Sequence, residues 1–558
     1  MPHPKQHITD LAEICRRKGI NRAVISPGSR STPLIRAFSD ALGEGCVSIV
    51  DERSASYFAL GIATYTQKPV ALICTSGTAV LNYAPALAEA YYQQVPLLAI
   101  TADRPHEWID QQDNQTLRQH AIYKNHIKGS FELPQVIASD DDLWFTHRMV
   151  NEAVNLCLSS GKGPVHINVP LTEPLYDELP SPSENIRIIH QEQPEISLML
   201  PDELVAEWKN ARRIMIIHGQ DIPDSEVAAL LPSLSNDGRI IILAENISNI
   251  SGKNILSNSN IVLSNARVNS PDYPDLILHS GGQVVSKALT AYLRRAANRK
   301  CWRIGNDKGI IDTFKQVTRF IPYPAASVYR ALDEIRPVDS TIGYRETWLA
   351  LAAAANRWTG NALLQAPFSD AHAVKNILAL IPAGALVALG NSSTIRNSQL
   401  FPVREKLYYY SNRGVSGIDG SLSTAAGVAF ASKKLTIAIT GDLGFIYDSN
   451  ALWNRELPAN LRILVINNEG GGIFHILKGP SDHHGFKKYI EAHHPVNIHK
   501  LAEAYGLDYL FANDESSLSA RWADFISDQG RSIVFEVMTD AAISAATFRK
   551  LMSSPDKS

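Results

Sequence analysis

No stretch of this 558-residue chain is long and apolar enough to span a bilayer. Neither sign of charge dominates: 53 Lys and Arg stand against 56 Asp and Glu. That balance leaves no basic footprint for nucleic acid and no polybasic patch for a membrane surface. Cysteine is scarce. Cys15, Cys46, Cys74, Cys157 and Cys301 are scattered, odd in number and free of any C-x-x-C pair. This points away from a disulfide framework and toward a reducing, cytoplasmic compartment. The N-terminal "MPHPKQHITDLAEICRRKG" lacks the apolar core of a signal peptide. It reads as a helix, with Asp10 and Glu13 spaced for a capping box, Arg16 to Lys18 in the last turn and Gly19 beyond it. Low-complexity tracts and short-period repeats are absent too.

What is present is a soluble α/β pattern too long for one core, so two to four domains are expected. Short apolar runs alternate with helical stretches in three groups. The first is "RAVIS" at 22–26, "PVALICT" at 69–75, "PLLAIT" at 96–101 and "PVHINVP" at 164–170. The second is "RIMIIHG" at 213–219, "RIIILAEN" at 239–246, "DLILHSGG" at 275–282 and "CWRIG" at 301–305. The third is "ALVALGN" at 385–391, "LTIAITGD" at 435–442, "RILVINN" at 462–468 and "IVFEVMTD" at 533–540. Near-continuous apolar strands are buried on both faces, which predicts parallel sheets covered by helices. Seams at 171–197 and near 334–346 divide the chain into expected domains at 1–180, 197–335 and 345–558.

Open parallel sheets bind ligands at the C-terminal ends of their strands. Several strands here end in small or polar residues: "SPGSR", "TSGTA", "TADRP", "GNSS", "GDLG" and "NNEGGG". Together they favour a phosphate-bearing cofactor. The strongest unit runs from "TIAITGDLGF" to "RILVINNEGGGIF". A crossover of this length makes its two strands parallel and usually adjacent, which brings Asp442 near Asn468. A carboxylate, an amide oxygen and a backbone carbonyl make a hard oxygen set suited to Mg2+. Gly444 and the glycines at 470–472 allow a diphosphate close to the backbone. A plain turn with Asp442 as a helix cap fits the same residues. Glu52, after "VSIV" and at a helix start, has a similar alternative as a partner of the helix dipole. The His pairs at 483–484 and 493–494 lack zinc-ligand spacing and read as exposed loop residues.

The "GD…NN" spacing resembles the metal–diphosphate motif of the thiamine-diphosphate enzymes, with Leu443 in place of the usual glycine. The resemblance implies Mg2+, or Mn2+ in its place, on Asp442, Asn468 and the Gly470 carbonyl. It implies three α/β domains: pyrimidine-binding, central and diphosphate-binding. It gives Glu52 the family's glutamate role, hydrogen-bonded to the cofactor's pyrimidine ring. Thr75, Gly77, Ser392, Ser416, Ile418, Leu443, Gly444, Ile473 and Phe474 match other cofactor positions.

The motifs "SPGSRSTPL", "DERSASYFALG", "TSGTAV", "TADRP", "NQTLRQ", "GNSSTIR" and "YSNRGVSGIDGSLSTAAG" look like the branch that joins 2-oxoglutarate to isochorismate in menaquinone biosynthesis. Both substrates carry two carboxylates, which arginine's planar fork suits. Arg30, Arg104, Arg396 and Arg413 match substrate positions of that branch, as do Ser29, Asn114, Gln115, Ser392, Ile418 and Phe474. Lys287 matches the first of a basic pair whose second member is here Ala288. The family also implies a homodimer, or a dimer of dimers, with sites shared between chains. The competing readings are an acetolactate-synthase-like carboligase and a non-catalytic cofactor-binding sensor. No dinucleotide fingerprint at 197–335 supports a flavin.

Overall fold

The computed structural model describes every residue except 1, 160, 193–197, 266–272, 296–298, 307–308, 336–342, 477–482, 529 and 554–558. Parts of both expected interdomain seams therefore lie outside the described residues. The described chain forms two compact units. One comprises residues 1–194, 412–433 and 447–461; the other comprises 195–411, 434–446 and 462–558.

The first unit holds β1 (Ala23–Ile25), β2 (Cys46–Ser48), β3 (Val70–Cys74), β4 (Leu97–Asp103), β5 (Ser130–Glu132) and β6 (Val165–Pro170). They form a parallel sheet in the order β2-β1-β3-β4-β6-β5. The second unit holds two sheets. The first of these contains β7 (Ile214–His218), β8 (Ile240–Ala244), β9 (Ile255–Leu256), β10 (Leu276–Ser280), β11 (Lys300–Ile304) and β12 (Arg319–Ile321), ordered β12-β11-β10-β7-β8-β9. The other contains β13 (Leu386–Leu389), β14 (Tyr408–Tyr410), β15 (Thr436–Gly441), β16 (Leu461–Asn467), β17 (Asp508–Ala512) and β18 (Ile533–Met538), ordered β14-β13-β15-β16-β18-β17.

All twelve apolar runs listed above are strands, and they are the inner strands of the three sheets. The remaining six, β2, β5, β9, β12, β14 and β17, are the sheet edges. Of these, only β2 overlaps an apolar run quoted above, the "VSIV" before Glu52. An edge strand has one neighbour and a half-open face, so it needs no continuous apolar run. β5 is half-buried throughout, whereas every residue of β3, β4 and β6 is buried.

The first helix spans Gln6–Arg17, and Gly19 follows at φ +85°. The expected capping box is not there. Asp10 lies inside the helix, fully buried, and accepts from His147 Nε2 at 2.7 Å and Ser183 N at 2.7 Å. Glu13 pairs with Arg16 at 2.7 Å instead of reaching back to a cap. The acid spacing that suggested a cap therefore serves a buried tether and an ion pair between buried Glu13 and exposed Arg16.

Within the first unit, the helix Glu52–Thr66 packs on the helix Ser421–Ser432 through two glycines. A Cβ on Gly61 would stand 2.1 Å from the Thr424 carbonyl, and one on Gly427 would stand 2.0 Å from that of Phe58. Only bare backbone fits at this crossing.

Candidate active site

In the second unit β15 and β16 are neighbours, as the crossover length required. Asp442 follows β15 and opens a short helix, Asp442–Tyr447, with its side chain buried. Its Oδ1 accepts from Leu443 N at 2.7 Å, and its Oδ2 accepts from Gly470 N at 2.7 Å. The Gly470 N–H meets Asp442, and the Gly470 carbonyl accepts from Gly472 N at 3.0 Å. Asn468 is buried beyond β16. Its Nδ2 donates to Asp370 Oδ2 at 3.1 Å, while its Oδ1 is buried with no partner. Asp370 is itself fixed by Thr539 Oγ1 at 2.6 Å and Ser544 Oγ at 3.0 Å, and burial pushes its carboxyl up. The amide is thus oriented so that its oxygen remains available. A buried orphan oxygen is costly unless something fills its place. A hard cation held between Asp442 and Asn468 fits that requirement. Gly472 leaves the amide its room: a Cβ there would lie 2.6 Å from Asn468 Nδ2.

One expectation fails here. His494 is not a free loop residue: its side chain is 11% exposed and its Nε2 lies 3.2 Å from Asp442 Oδ2. His483, His484 and His493 are exposed as expected.

The same unit gathers two of the expected cations. Arg396 lies on the helix Ser393–Ser398, behind Ser392, which holds φ +69°. A non-glycine residue in that region is strained, and such strain concentrates at functional sites. Burial lowers the Arg396 guanidinium's pKa, its Nε has no partner, and no carboxylate faces it among the described residues. Lys287 is exposed at the start of the helix Lys287–Arg295. Both cations line one cavity of about 300 Å3, shared with Gln399, Ile473 and Phe548. Phe474 lies beside that wall, its ring 2.8 Å from where a Cβ on Gly471 would stand. Leu443 is half-buried and Gly444 buried on the Asp442 helix.

In the first unit, Glu52 is the first residue of its helix, but Asp51 does the capping by accepting from Ser54 N at 3.1 Å. Burial raises the Glu52 carboxyl above its usual value. A carboxylate serving only the helix dipole would shift the other way. Gly28, at the tip of β1, touches Thr75 so closely that a Cβ would lie 2.4 Å from Thr75 Cβ. Thr75 Oγ1 is buried without a partner. Gly77 N donates to Gln119 Oε1 at 3.0 Å, and Gln119 also donates to the Ala102 carbonyl at 3.1 Å.

Arg30 is buried and donates to the Leu171 carbonyl at 2.8 Å and to Glu173 Oε1 at 2.9 Å. Burial and then the charge of Arg104 lower its pKa. Arg104 pairs with Asp113 at 3.3 Å. Cations at strand tips suit an anionic guest. Ser29, Asn114 and Gln115 are exposed at the same tips, Gln115 at φ +53°. Arg413, Ser416 and Ile418 are half-buried on a loop, with Ser416 at φ +63°. That loop is gripped by Glu89, which is fully buried and accepts from Val415 N at 2.8 Å and also from Gly414 N.

The structure thus places Thr75 by Gly28, Lys287 with Arg396, and Asp442 against Gly470. The residues that sequence reasoning missed are the ones that hold these in place: Glu89, Gln119, Asp370 and His494. None sits in a strand-tip motif that would announce it, although Gln119 ends the quoted "NQTLRQ".

Residues 8–122 match the family model "Thiamine pyrophosphate enzyme, N-terminal TPP binding domain", and residues 389–537 match its C-terminal TPP binding counterpart. The chain is 41% identical over 543 residues to the 2-succinyl-5-enolpyruvyl-6-hydroxy-3-cyclohexene-1-carboxylate synthase of Desulfotalea psychrophila, covering 96% of this chain and 98% of that one. It is 38% identical over 549 residues to the synthase of the same name from Flavobacterium psychrophilum, covering 97% and 98%. For that from Porphyromonas gingivalis the identity is 36% over 550 residues, covering 96% and 94%. Near-complete coverage at these identities, on a frame of three parallel sheets with an oxygen pair at the β15 and β16 tips, places the chain in one family: it belongs to the thiamine pyrophosphate enzymes and, among them, to the 2-succinyl-5-enolpyruvyl-6-hydroxy-3-cyclohexene-1-carboxylate synthases.

Proposed function

We propose that this chain, carrying thiamine diphosphate and Mg2+ (with Mn2+ as an alternative ion), decarboxylates 2-oxoglutarate and adds the resulting succinyl carbanion to isochorismate. The products are 2-succinyl-5-enolpyruvyl-6-hydroxy-3-cyclohexene-1-carboxylate and CO2, and the step belongs to menaquinone biosynthesis. The carrying observation is the buried, unpartnered Oδ1 of Asn468 at the tip beside Asp442.

When bound, the cofactor supplies the electron sink that decarboxylation needs. Asp442, Asn468 and Gly470 would hold the metal, with Leu443, Gly444, Ser392, Ile473 and Phe474 around the diphosphate end. Glu52, with Thr75, Gly77, Ser416 and Ile418, would serve the ring end. A carboxyl raised by burial exchanges its proton more readily near neutral pH than an ordinary one, which suits Glu52 to proton transfer at the pyrimidine ring. Arg30, Arg104, Arg396, Arg413 and Lys287 would hold substrate carboxylates, with Ser29, Asn114 and Gln115 as polar partners and Phe474 and Ile418 as apolar walls. Arg396 supports this role best, being a half-buried cation that no carboxylate faces among the described residues.

The division into domains 1–180, 197–335 and 345–558 is proposed on the same reading, with a cytoplasmic location and a homodimer or dimer of dimers as the working assembly. No helix among the described residues is long and apolar enough to cross a membrane.

The deciding experiment supplies thiamine diphosphate and Mg2+ with 2-oxoglutarate or pyruvate, each with and without isochorismate, and follows CO2 and product together. Product formation that needs both substrates is expected. Pyruvate turnover without isochorismate would replace this reading with an acetolactate-synthase-like one. Cofactor binding with no turnover of any 2-oxo acid would leave a sensor.

A further inference from the structure

β8 is followed by a dipeptide, Glu245–Asn246, whose two side chains are buried and grip two separate elements. The Glu245 carboxylate spans two successive backbone N–H groups: Oε2 accepts from Val285 N and Oε1 from Ser286 N, each at 2.7 Å. The next residue is Lys287, which opens its helix. Ser286 closes that helix start by accepting from Leu289 N at 3.0 Å. Asn246 reaches the other way. Its Nδ2 donates to Ser398 Oγ at 2.9 Å and its Oδ1 accepts from Gln399 Nε2. Ser398 ends the helix that carries Arg396, and its Oγ passes the bond on to the Ile395 carbonyl at 2.8 Å. Neither Glu245 nor Asn246 lines the cavity, yet Lys287 and Arg396 both do.

We infer that Glu245 and Asn246 are positioning residues that set the spacing of Lys287 and Arg396, and through it the fit of a substrate carboxylate. The inference rests on the substrate-clamp reading of those two cations. Its physical basis is the rigidity of the link. Two neighbouring residues at one strand end move as one body, and each is tied to its target by two hydrogen bonds. A carboxylate bridging two N–H groups fixes a helix start in direction as well as distance. The cations themselves are long, flexible side chains, so their mutual placement depends on where their backbones are held.

The test is a pair of double-mutant cycles in the holoenzyme, read as KM for each acidic substrate, kcat and the affinity for thiamine diphosphate. One cycle pairs Glu245→Gln with Lys287→Ala; the other pairs Asn246→Ala with Arg396→Ala. Glu245→Gln replaces an acceptor oxygen by an amide NH2 donor facing a backbone N–H. A rise in KM of about fivefold is expected for one of the two substrates, the fold-change of roughly one lost hydrogen bond. Cofactor affinity should stay unchanged. In the Lys287→Ala background the same change should add almost nothing, because the group it positions is gone. Asn246→Ala should behave alike against Arg396→Ala. Independent, multiplying effects in both cycles would overturn the inference while leaving the clamp standing, since a purely structural role does not care whether the cation is present. Unchanged KM in the two cation variants themselves would overturn the clamp, and the inference with it. Should Glu245→Gln not accumulate as folded protein, Glu245→Asp takes its place, keeping the charge while withdrawing it by one methylene.

Discussion

Asp442 Oδ2 accepts the backbone N–H of Gly470 at 2.7 Å across 28 positions of chain. One carboxylate thus ties together the β15 and β16 tips, and beyond β16 the Asn468 Oδ1 is buried without a partner. Asp442→Ala removes the tie and, on the proposed reading, a metal ligand. Cofactor affinity in the presence of Mg2+ should fall by about 100-fold or more, beyond the roughly 10–100-fold that loss of an outer-shell partner costs. Activity should vanish with it. Titration calorimetry measures the affinity, and a variant that binds thiamine diphosphate like the unmodified protein would remove Asp442 from the metal site.

Shared sites make a different prediction about two dead variants. If each site takes Glu52 from one chain and Asp442 from its partner, refolding Glu52→Gln together with Asp442→Ala gives mixed dimers with one doubly damaged and one intact site. Random pairing makes about half the dimers mixed, so roughly a quarter of the activity should return. Persistent inactivity after verified chain exchange would argue for sites built from single chains.

Asp448 lies buried in the first unit and accepts from Ser423 N and Ser423 Oγ, each at 2.7 Å. Ser423 Oγ in turn lies 2.9 Å from Ser54 Oγ on the Glu52 helix. Burial pushes the Asp448 carboxyl up to about 7. Its folded value exceeds its unfolded one, so its contribution to stability is complete below the ordinary aspartate range and is lost as pH rises through about 7. Urea denaturation from about pH 5 to pH 8 should show stability falling, and Asp448→Asn should flatten that decline. An identical slope in the variant would show that the carboxyl does not titrate there.

The crossing of the Glu52–Thr66 and Ser421–Ser432 helices leaves no room for one methyl group. Gly427→Ala would press a Cβ to 2.0 Å from the Phe58 carbonyl, a backbone atom that cannot swing away. Overpacking of this kind costs about 1–3 kcal/mol or more. The chemical denaturation midpoint should drop accordingly, while Gly360→Ala, where a Cβ meets nothing within 4 Å, should not lower it. Equal midpoints for both variants would mean the crossing is looser than described.

The sequence by itself determined the inner strands of all three sheets, because a strand covered on both faces must be apolar along its length. It also determined that β15 and β16 lie side by side, because a crossover of that length leaves few ways to place two strand tips. Only the tertiary structure decided the edge strands, whose single neighbour leaves their pattern mixed. It turned Asp10 from an expected cap into a buried tether, and set His494 against Asp442. It alone revealed Glu89, Glu245 and Asp370. Each is a buried carboxylate whose partners lie far along the chain: Gly414 is 325 positions from Glu89, Val285 is 40 from Glu245, and Thr539 is 169 from Asp370. Local propensity and periodicity register neighbours within a few residues. A hydrogen bond that closes across hundreds leaves no periodic trace, and exists only once the sheets have brought its ends together.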